Sequence, residues 1–123
     1  MNAPSPCVLV VDDDPAIRLL CRVNLEFEGV RVIEAGTLAE ARSAARDGSP
    51  DLVLLDVHVA GEDGRELLDE LRAEHPYLPV YMLTGTAAFE PRGAAPDGLI
   101  AKPFDPTELV RLVRDAIGVA RRR

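Results

Sequence analysis

Acidic residues follow two apolar runs of this sequence, and their spacing indicates a metal-dependent site. The aspartates Asp12–Asp14 come directly after the run at residues 7–11, and Asp56 ends a second run at residues 52–55. If both runs are neighbouring parallel strands, these carboxylates meet at one edge of a sheet. Carboxylates gathered in this way repel one another, and a proton or a bound cation has to offset the charge. The simplest offset is a divalent metal ion. Oxygen ligands without cysteine or histidine favour Mg²⁺, which leaves room for phosphate oxygens, so the pattern predicts phosphoryl chemistry.

Length, composition and charge limit the class of protein. The chain has 123 residues, of which 47% are hydrophobic, which is enough for the core of one domain. No apolar run approaches the roughly 20 residues that a membrane span needs, and residues 1–6 lack the features of a signal peptide. We therefore expect a cytoplasmic protein without membrane contact. The net charge of −7 argues against direct nucleic-acid binding, because phosphate backbones are held mainly by lysine and arginine.

Strand-like and helix-like segments alternate along the chain. Short aliphatic segments suit strands that are buried on both faces, and they cover residues 7–11, 30–35, 51–56, 80–84 and 98–101. Helical patterns lie between them and begin at capping residues, predicted at Asp14, at Thr37 and at Asp105 or Thr107. This alternation predicts an α/β fold with a doubly wound parallel sheet of five strands and helices on both faces.

Four reactive side chains fall at the same end of the predicted strands. In open parallel sheets, ligands bind outside the carboxyl ends of the strands, where the strand order reverses. Asp13, Asp56, Thr84 and Lys102 all lie at or just after such ends. We therefore expect them to share one rim of the sheet.

The order and spacing of these motifs resemble the receiver domain of two-component response regulators. The matching segments are Val8-Leu-Val-Val-Asp-Asp-Asp14, Asp51-Leu-Val-Leu-Leu-Asp56, Gly61-Glu-Asp-Gly64, Met82-Leu-Thr84 and Lys102-Pro-Phe104. The resemblance covers nearly the whole chain and implies a single receiver domain over residues 1–123, with a core at about 6–120. It also implies the flavodoxin-like strand order 2-1-3-4-5.

By this resemblance, Asp56 is the phosphoryl acceptor, and Thr84 and Lys102 contact the phosphoryl group. A carboxylate can attack the phosphorus of a phosphohistidine, because a metal ion and a lysine spread the charge that develops on the transferring oxygens. The implied function is that of a phosphoacceptor signalling module in a phosphorelay, whose modified state switches a partner contact. Such a domain turns over no separate metabolite, so we do not expect an enzyme in the ordinary sense.

The resemblance also implies a Mg²⁺ site. Asp13 and Asp56 are direct ligands, together with the backbone carbonyl of His58, and Asp12 acts through water. Asp14 more simply caps the first helix. The implied partners are a sensor histidine kinase or phosphotransfer protein, and an output partner or fused effector domain that the sequence does not identify. We expect a monomer before phosphorylation.

Two positions and the length of one interval depart from the usual family pattern. Leu99 stands where receivers usually carry tyrosine or phenylalanine, and leucine has no hydroxyl that can exchange partners. Leu99 follows Thr84 by 15 positions, about one helical turn less than expected, and prolines and glycines in this interval predict a fourth helix that is short or irregular. Ala60 stands where proline is usual, which predicts a looser loop and weaker Mg²⁺ binding.

Two other functional classes fit parts of the pattern. A degenerate receiver could act as a phosphorylation-independent interaction domain, and Leu99 and the shortened interval before it favour this alternative. A metal-dependent phosphohydrolase could use Asp12 and Asp14 as nucleophile and acid, but Pro15 and the short chain supply neither a flexible continuation nor a substrate-covering cap. The presence of the full acidic, threonine and lysine set favours the phosphoacceptor.

Overall fold

Strands and helices alternate along the chain, of which the computed structural model describes residues 5–85 and 89–121. The strands are β1 (Cys7–Val11), β2 (Arg31–Ala35), β3 (Leu52–Asp56), β4 (His58–Val59), β5 (Glu62–Asp63), β6 (Val80–Thr84) and β7 (Gly98–Ala101). The helices are α1 (Pro15–Phe27), α2 (Leu38–Gly48), α3 (Gly64–Glu74) and α4 (Pro106–Arg121). None of the described helices is long and apolar enough to cross a lipid bilayer.

Five strands form one parallel sheet, in the order β2-β1-β3-β6-β7. Counted along the chain, these five strands have the predicted order 2-1-3-4-5, and each lies within one residue of its predicted bounds, so the predicted fold class is confirmed. The chain passes from β1 to β2 on one side and returns to β3 on the other. The order of the strands therefore reverses between β1 and β3, where Val11 pairs with Leu55. Their carboxyl ends are adjacent, which is where such folds bind ligands.

The sheet is buried on both faces, because its strands point alternate side chains into two apolar layers. In β1, Val8 and Val10 pack in the layer with α1 and α4. Leu9 and Val11 pack in the opposite layer with α2 and α3. All five residues of β1 are fully buried. The central strand is thus fixed from both sides, and it carries the acidic residues that follow it.

Short polar side chains begin the helices, largely as predicted. The carboxylate of Asp14 caps α1, and the hydroxyl of Thr37 caps α2. At α4, Asp105 rather than Thr107 is the capping side chain, because its Oδ1 accepts a hydrogen bond of 2.9 Å from the Thr107 N–H. The cap of α3, Asp63, was not predicted. Each cap satisfies a backbone N–H that has no partner inside its helix.

The β6–β7 segment, defined here as residues 89–97, contains no helix. This agrees with the prediction of a short or irregular fourth helix over these residues, while residues 86–88 lie outside the described part of the chain. Charged side chains of α3 hold the segment by its backbone. Arg65 donates a 2.7 Å hydrogen bond to the carbonyl oxygen of Glu90. The Ala94 N–H donates one of 2.7 Å to Asp69.

Candidate functional site

Three aspartates meet where β1 and β3 end. Carboxylate oxygens of Asp12, Asp13 and Asp56 all lie within 4.8 Å of one another. Asp12 is buried, Asp13 is exposed, and Asp56 is partly buried. Because carboxylate oxygens are the ligands that Mg²⁺ prefers, this donor set fits the ion that the sequence predicts.

Lys102, the only lysine in the chain, lies between two of these aspartates. Its Nζ donates to Asp12 Oδ2 at 2.6 Å and to Asp56 Oδ2 at 3.2 Å. Its backbone N–H donates to the carbonyl oxygen of Thr84 at 2.8 Å, which ties the end of β7 to the end of β6. The structure therefore brings Lys102 to the acidic cluster across the carboxyl edge of the sheet.

The charges in this cluster perturb one another. Burial and the carboxylate of Asp12 raise the pKa of Asp56, although Lys102 opposes the shift. Burial disfavours the ammonium of Lys102, but hydrogen bonds and attraction from Asp12 and Asp56 outweigh it, and the pKa of Lys102 is raised. Three carboxylates face one ammonium, so a divalent cation would relieve the remaining repulsion.

Thr84 and His58 also lie near this edge. Thr84 is buried at the end of β6, directly after Leu83, which pairs with Asp56 in β3. His58 begins β4 opposite Asp63, and its side chain is exposed. The contact of Thr84 with a phosphoryl group, the His58 carbonyl as a metal ligand and the water-mediated role of Asp12 remain predictions.

Leu99 lies at the surface of the edge strand. It pairs with Met82 across β6 and β7 and is 48% exposed. Where the family usually carries an aromatic ring, this chain therefore has a half-exposed leucine side chain.

The loop after β3 is a tight hairpin that the sequence did not predict. Ala60 and Gly61 join β4 to β5 with φ angles of 51° and 82°, as in two-residue turns whose central residues both have positive φ. The Ala60 N–H donates to Asp13 Oδ2 at 3.0 Å. Proline locks φ near −65° and has no N–H, so the usual family proline does not fit this turn. The effect of Ala60 on Mg²⁺ affinity remains a prediction.

We expect Ala60→Gly to raise the free energy of unfolding by about 0.5–1 kcal/mol, because positive φ is strained for an alanine and free for a glycine. Urea denaturation of both proteins measures the difference. The matched control is Ala39→Gly in the exposed first turn of α2, which should lower the free energy of unfolding by up to about 1 kcal/mol through helix propensity. Equal losses in the two variants would contradict the strain at Ala60.

Gly64 is a site residue that the functional reading of the sequence missed. It is buried at the start of α3, and its N–H donates to the carbonyl oxygen of Val57 at 2.6 Å. A Cβ at this position would lie 2.1 Å from the backbone oxygen of Asp56. The signal in the sequence is the second glycine of Gly61-Glu-Asp-Gly64, which allows α3 to approach the end of β3 closely.

The sequence profile of the family described as the response regulator receiver domain matches residues 8–114. The chain therefore belongs to the receiver domain family of two-component response regulators. The class that the fold and the acidic site define is that of a phosphoacceptor signalling domain.

Curated relatives include regulators of transcription. The chain is 40% identical over 111 residues to the probable transcriptional regulatory protein TcrX of Mycobacterium tuberculosis, which covers 87% of this chain and 47% of TcrX. It is also 40% identical over 111 residues to the transcriptional regulatory protein ResD of Bacillus subtilis, and this match covers 87% of this chain and 46% of ResD. The chain thus spans about half the length of these two relatives. An uncharacterized 14.6 kDa protein of Leptolyngbya boryana is 41% identical over 113 residues, with 87% of this chain and 86% of that protein covered.

Solved structures agree with this family. A CheY-like response regulator receiver domain protein from Methanospirillum hungatei superposes with a TM-score of 0.89 at 30% identity, covering 96% of this chain and 98% of the other. The receiver domain of NtrX from Brucella abortus has a TM-score of 0.82 at 36% identity, with 90% and 98% covered. Both likenesses extend over nearly the whole fold described here.

Proposed function

We propose that this chain takes a phosphoryl group from a sensor histidine kinase or a phosphotransfer protein onto Asp56. The observation that supports this function best is the meeting of Asp12, Asp13, Asp56 and Lys102 at one edge of the sheet. Separately, each of these residues has ordinary structural uses. Together, they supply a nucleophile, a metal-binding acidic group and a mobile positive charge within a few ångströms.

The chemistry follows from the positions of Asp56 and Lys102. An Asp56 oxygen forms a bond to phosphorus while the bond from phosphorus to the imidazole nitrogen of the donor breaks, and the leaving imidazole keeps the electron pair. The product is an acyl phosphate. Nζ of Lys102 lies 3.2 Å from Asp56 Oδ2, so a small shift would place its charge on a phosphoryl oxygen. Thr84 would donate its hydroxyl to another of these oxygens.

Asp13 and Asp56 would hold Mg²⁺ directly, with the His58 backbone carbonyl as a further ligand and Asp12 acting through water. When bound, the ion supplies positive charge for the phosphoryl oxygens. Asp12 already accepts hydrogen bonds at both carboxylate oxygens, from the Asp14 N–H and from Lys102. This engagement favours an indirect role for Asp12.

The modified domain would act on another protein or on a fused effector domain. It would modify and dephosphorylate itself, turn over no separate metabolite, and work in the cytoplasm without direct contact with nucleic acid or membrane. Relatives named as transcriptional regulators favour an output at transcription. We expect the unmodified chain to be a monomer.

Intact mass spectrometry after incubation with acetyl phosphate tests this function. We expect a gain of one phosphoryl group that requires Mg²⁺, since the carboxylates and a cation together stabilise the transferring charge. Asp56→Asn is the control, because it keeps the size of the side chain and removes the nucleophile.

Beryllofluoride binding measured in parallel detects the same site without covalent chemistry. Absence of both modification and binding in the presence of Mg²⁺ would reject the phosphoacceptor function. Modification of Asp56→Asn to the same extent would place the acceptor elsewhere.

A further inference from the structure

Arg18, in α1, reaches back to the loop that connects β1 to α1. Its Nη1 donates a 2.7 Å hydrogen bond to the carbonyl oxygen of Asp12. Its Nε donates a 3.0 Å bond to Glu34 in β2. The Arg18 side chain is only 20% exposed, so most of it lies inside the protein. These contacts place the guanidinium on the backbone behind the acidic cluster.

Asp12 is fixed at four atoms. Its N–H donates to the carbonyl oxygen of Ala35 at 3.1 Å. Its two carboxylate oxygens accept from the Asp14 N–H at 2.9 Å and from Lys102 at 2.6 Å. Its carbonyl oxygen accepts from Arg18. The hydrogen bond to Ala35 continues the sheet, and the bonds from Asp14 and Lys102 lie within the acidic cluster and the start of α1. Arg18 therefore supports Asp12 from outside the acidic cluster.

The support at this carbonyl extends to Asp13. The carbonyl of Asp12 and the N–H of Asp13 belong to one rigid peptide plane. Fixing this carbonyl therefore restricts the direction in which the Asp13 side chain leaves the backbone. Asp13 is exposed, and its Oδ2 is 3.0 Å from the Ala60 N–H. Because little packing surrounds the exposed Asp13 side chain, its position depends on its backbone and its hydrogen bonds.

The guanidinium is itself held in place. Glu34 accepts from Arg18 with Oε1 and from Arg22 with Oε2, so this carboxylate is shared between two turns of α1. Gly36 leaves room for the arrangement, since a Cβ there would lie 3.1 Å from Arg18 Nη1. The planar fork of an arginine suits simultaneous donation to a carboxylate and a carbonyl.

We infer that Arg18, aimed by Glu34, is a positioning residue that sets the peptide between Asp12 and Asp13 for metal binding. The inference rests on the proposed Mg²⁺ site. Arg18 contacts neither the cation nor the phosphoryl group, and it acts through the backbone of the ligand loop.

Two physical effects of Arg18 on Mg²⁺ have opposite signs. Its positive charge repels a cation, so removal of the charge alone would strengthen Mg²⁺ binding. Its hydrogen bond holds the ligand loop, so removal of the bond weakens Mg²⁺ binding, because ligands lose their orientation. The direction of the change in affinity therefore separates positioning from simple electrostatics.

Isothermal titration of the full chain with Mg²⁺ measures this affinity directly, without phosphorylation. We expect Arg18→Met to weaken Mg²⁺ binding about tenfold. Arg18→Lys keeps the charge and one donor and should lose less. Arg42→Met is the control, because Arg42 also donates two hydrogen bonds to a carboxylate, that of Glu70, but contacts neither Asp12 nor Glu34 among the described contacts; it should bind Mg²⁺ as the wild type does.

Unfolding in urea without Mg²⁺ separates a structural effect from positioning. A merely structural arginine would lower stability in Arg18→Met while the folded protein kept its Mg²⁺ affinity, and that result would overturn the inference, as would tighter binding. If Arg18→Met does not fold, Arg18→Lys tests the same support, because it keeps the positive charge and loses the planar fork, and it should also weaken Mg²⁺ binding. Failure of the wild type itself to bind Mg²⁺ would instead reject the proposed metal site, and this inference with it.

Discussion

Replacing Gly64 with alanine is expected to lower the free energy of unfolding by about 3 kcal/mol. The new Cβ would lie 2.1 Å from the backbone oxygen of Asp56 and 3.1 Å from that of Val57. Both neighbours are backbone atoms, so neither can move aside by changing a rotamer. Either the start of α3 or the end of β3 has to shift, and the second shift displaces Asp56, the proposed phosphoacceptor.

Two measurements follow the Gly64→Ala change. Urea denaturation gives the loss of stability, and the rate of modification by acetyl phosphate reports the position of Asp56, where a displacement of about 1 Å can cost about 100-fold. Gly118→Ala is the matched control. Among the described residues, no atom outside the helix's own backbone lies within 4 Å of a Cβ at Gly118 in α4, so the free energy of unfolding of this variant should rise by up to about 1 kcal/mol. Similar stability changes in both variants would contradict the close approach of α3 to β3.

The second large effect is expected for Lys102→Met, which should lower the free energy of unfolding by about 2–3 kcal/mol at neutral pH without Mg²⁺. Asp12 and Asp56 would lose their shared cation, while the Asp12 side chain is only 1% exposed. The value lies at the low end for a buried pair, because the Lys102 side chain is 20% exposed. Added Mg²⁺ should restore part of the lost stability, since a second source of positive charge enters the same cluster.

The difference in free energy of unfolding between the wild type and Lys102→Met should become smaller as the pH is lowered. In the wild type, burial and Asp12 already raise the pKa of Asp56, and Lys102 opposes this. Without Lys102 the pKa of Asp56 rises further. A carboxyl group whose pKa is raised by folding favours the folded state at low pH and loses that contribution as the pH rises through the raised value. Urea denaturation across the acid range measures the trend.

The control for Lys102→Met is Arg46→Met, which removes an exposed charge paired only with the equally exposed Asp47 among the described contacts. It should change stability by less than about 0.5 kcal/mol at any pH. A pH-independent loss in Lys102→Met would show that the lysine contributes by packing rather than by charge.

Local chemistry explains why the main elements could be predicted from the sequence. The run at Cys7–Val11 is apolar throughout because both of its faces are buried. A strand of this kind can be predicted from its own residues, without knowledge of the strands that pair with it. Asp14 and Thr37 act within three residues of themselves, so their capping roles are also local. The acidic site follows from these elements, because parallel strands bring their carboxyl ends together.

Other features depend on neighbours that are distant in sequence. The left-handed angle of Ala60 is set by a hairpin of two-residue strands, too short to show alternation, and by Asp13, 47 positions earlier. The contact between Arg18 and the Asp12 carbonyl requires that the first turns of α1 fold back over the loop before it. From residue type alone, Ala60 cannot be distinguished from an ordinary turn residue, and Arg18 cannot be distinguished from a solvated surface charge.

The place of Lys102 also has a consequence for experiment. Lys102 is the only lysine in this chain. Reagents that are selective for primary amines therefore react with one side chain, in addition to the α-amino group. Reductive methylation with ¹³C-formaldehyde would keep the positive charge, place two equivalent labelled methyl groups beside Asp12 and Asp56, and leave Nζ with one N–H for the two carboxylates. The resulting methyl resonance would report metal binding and phosphorylation from inside the site, with no change to the sequence.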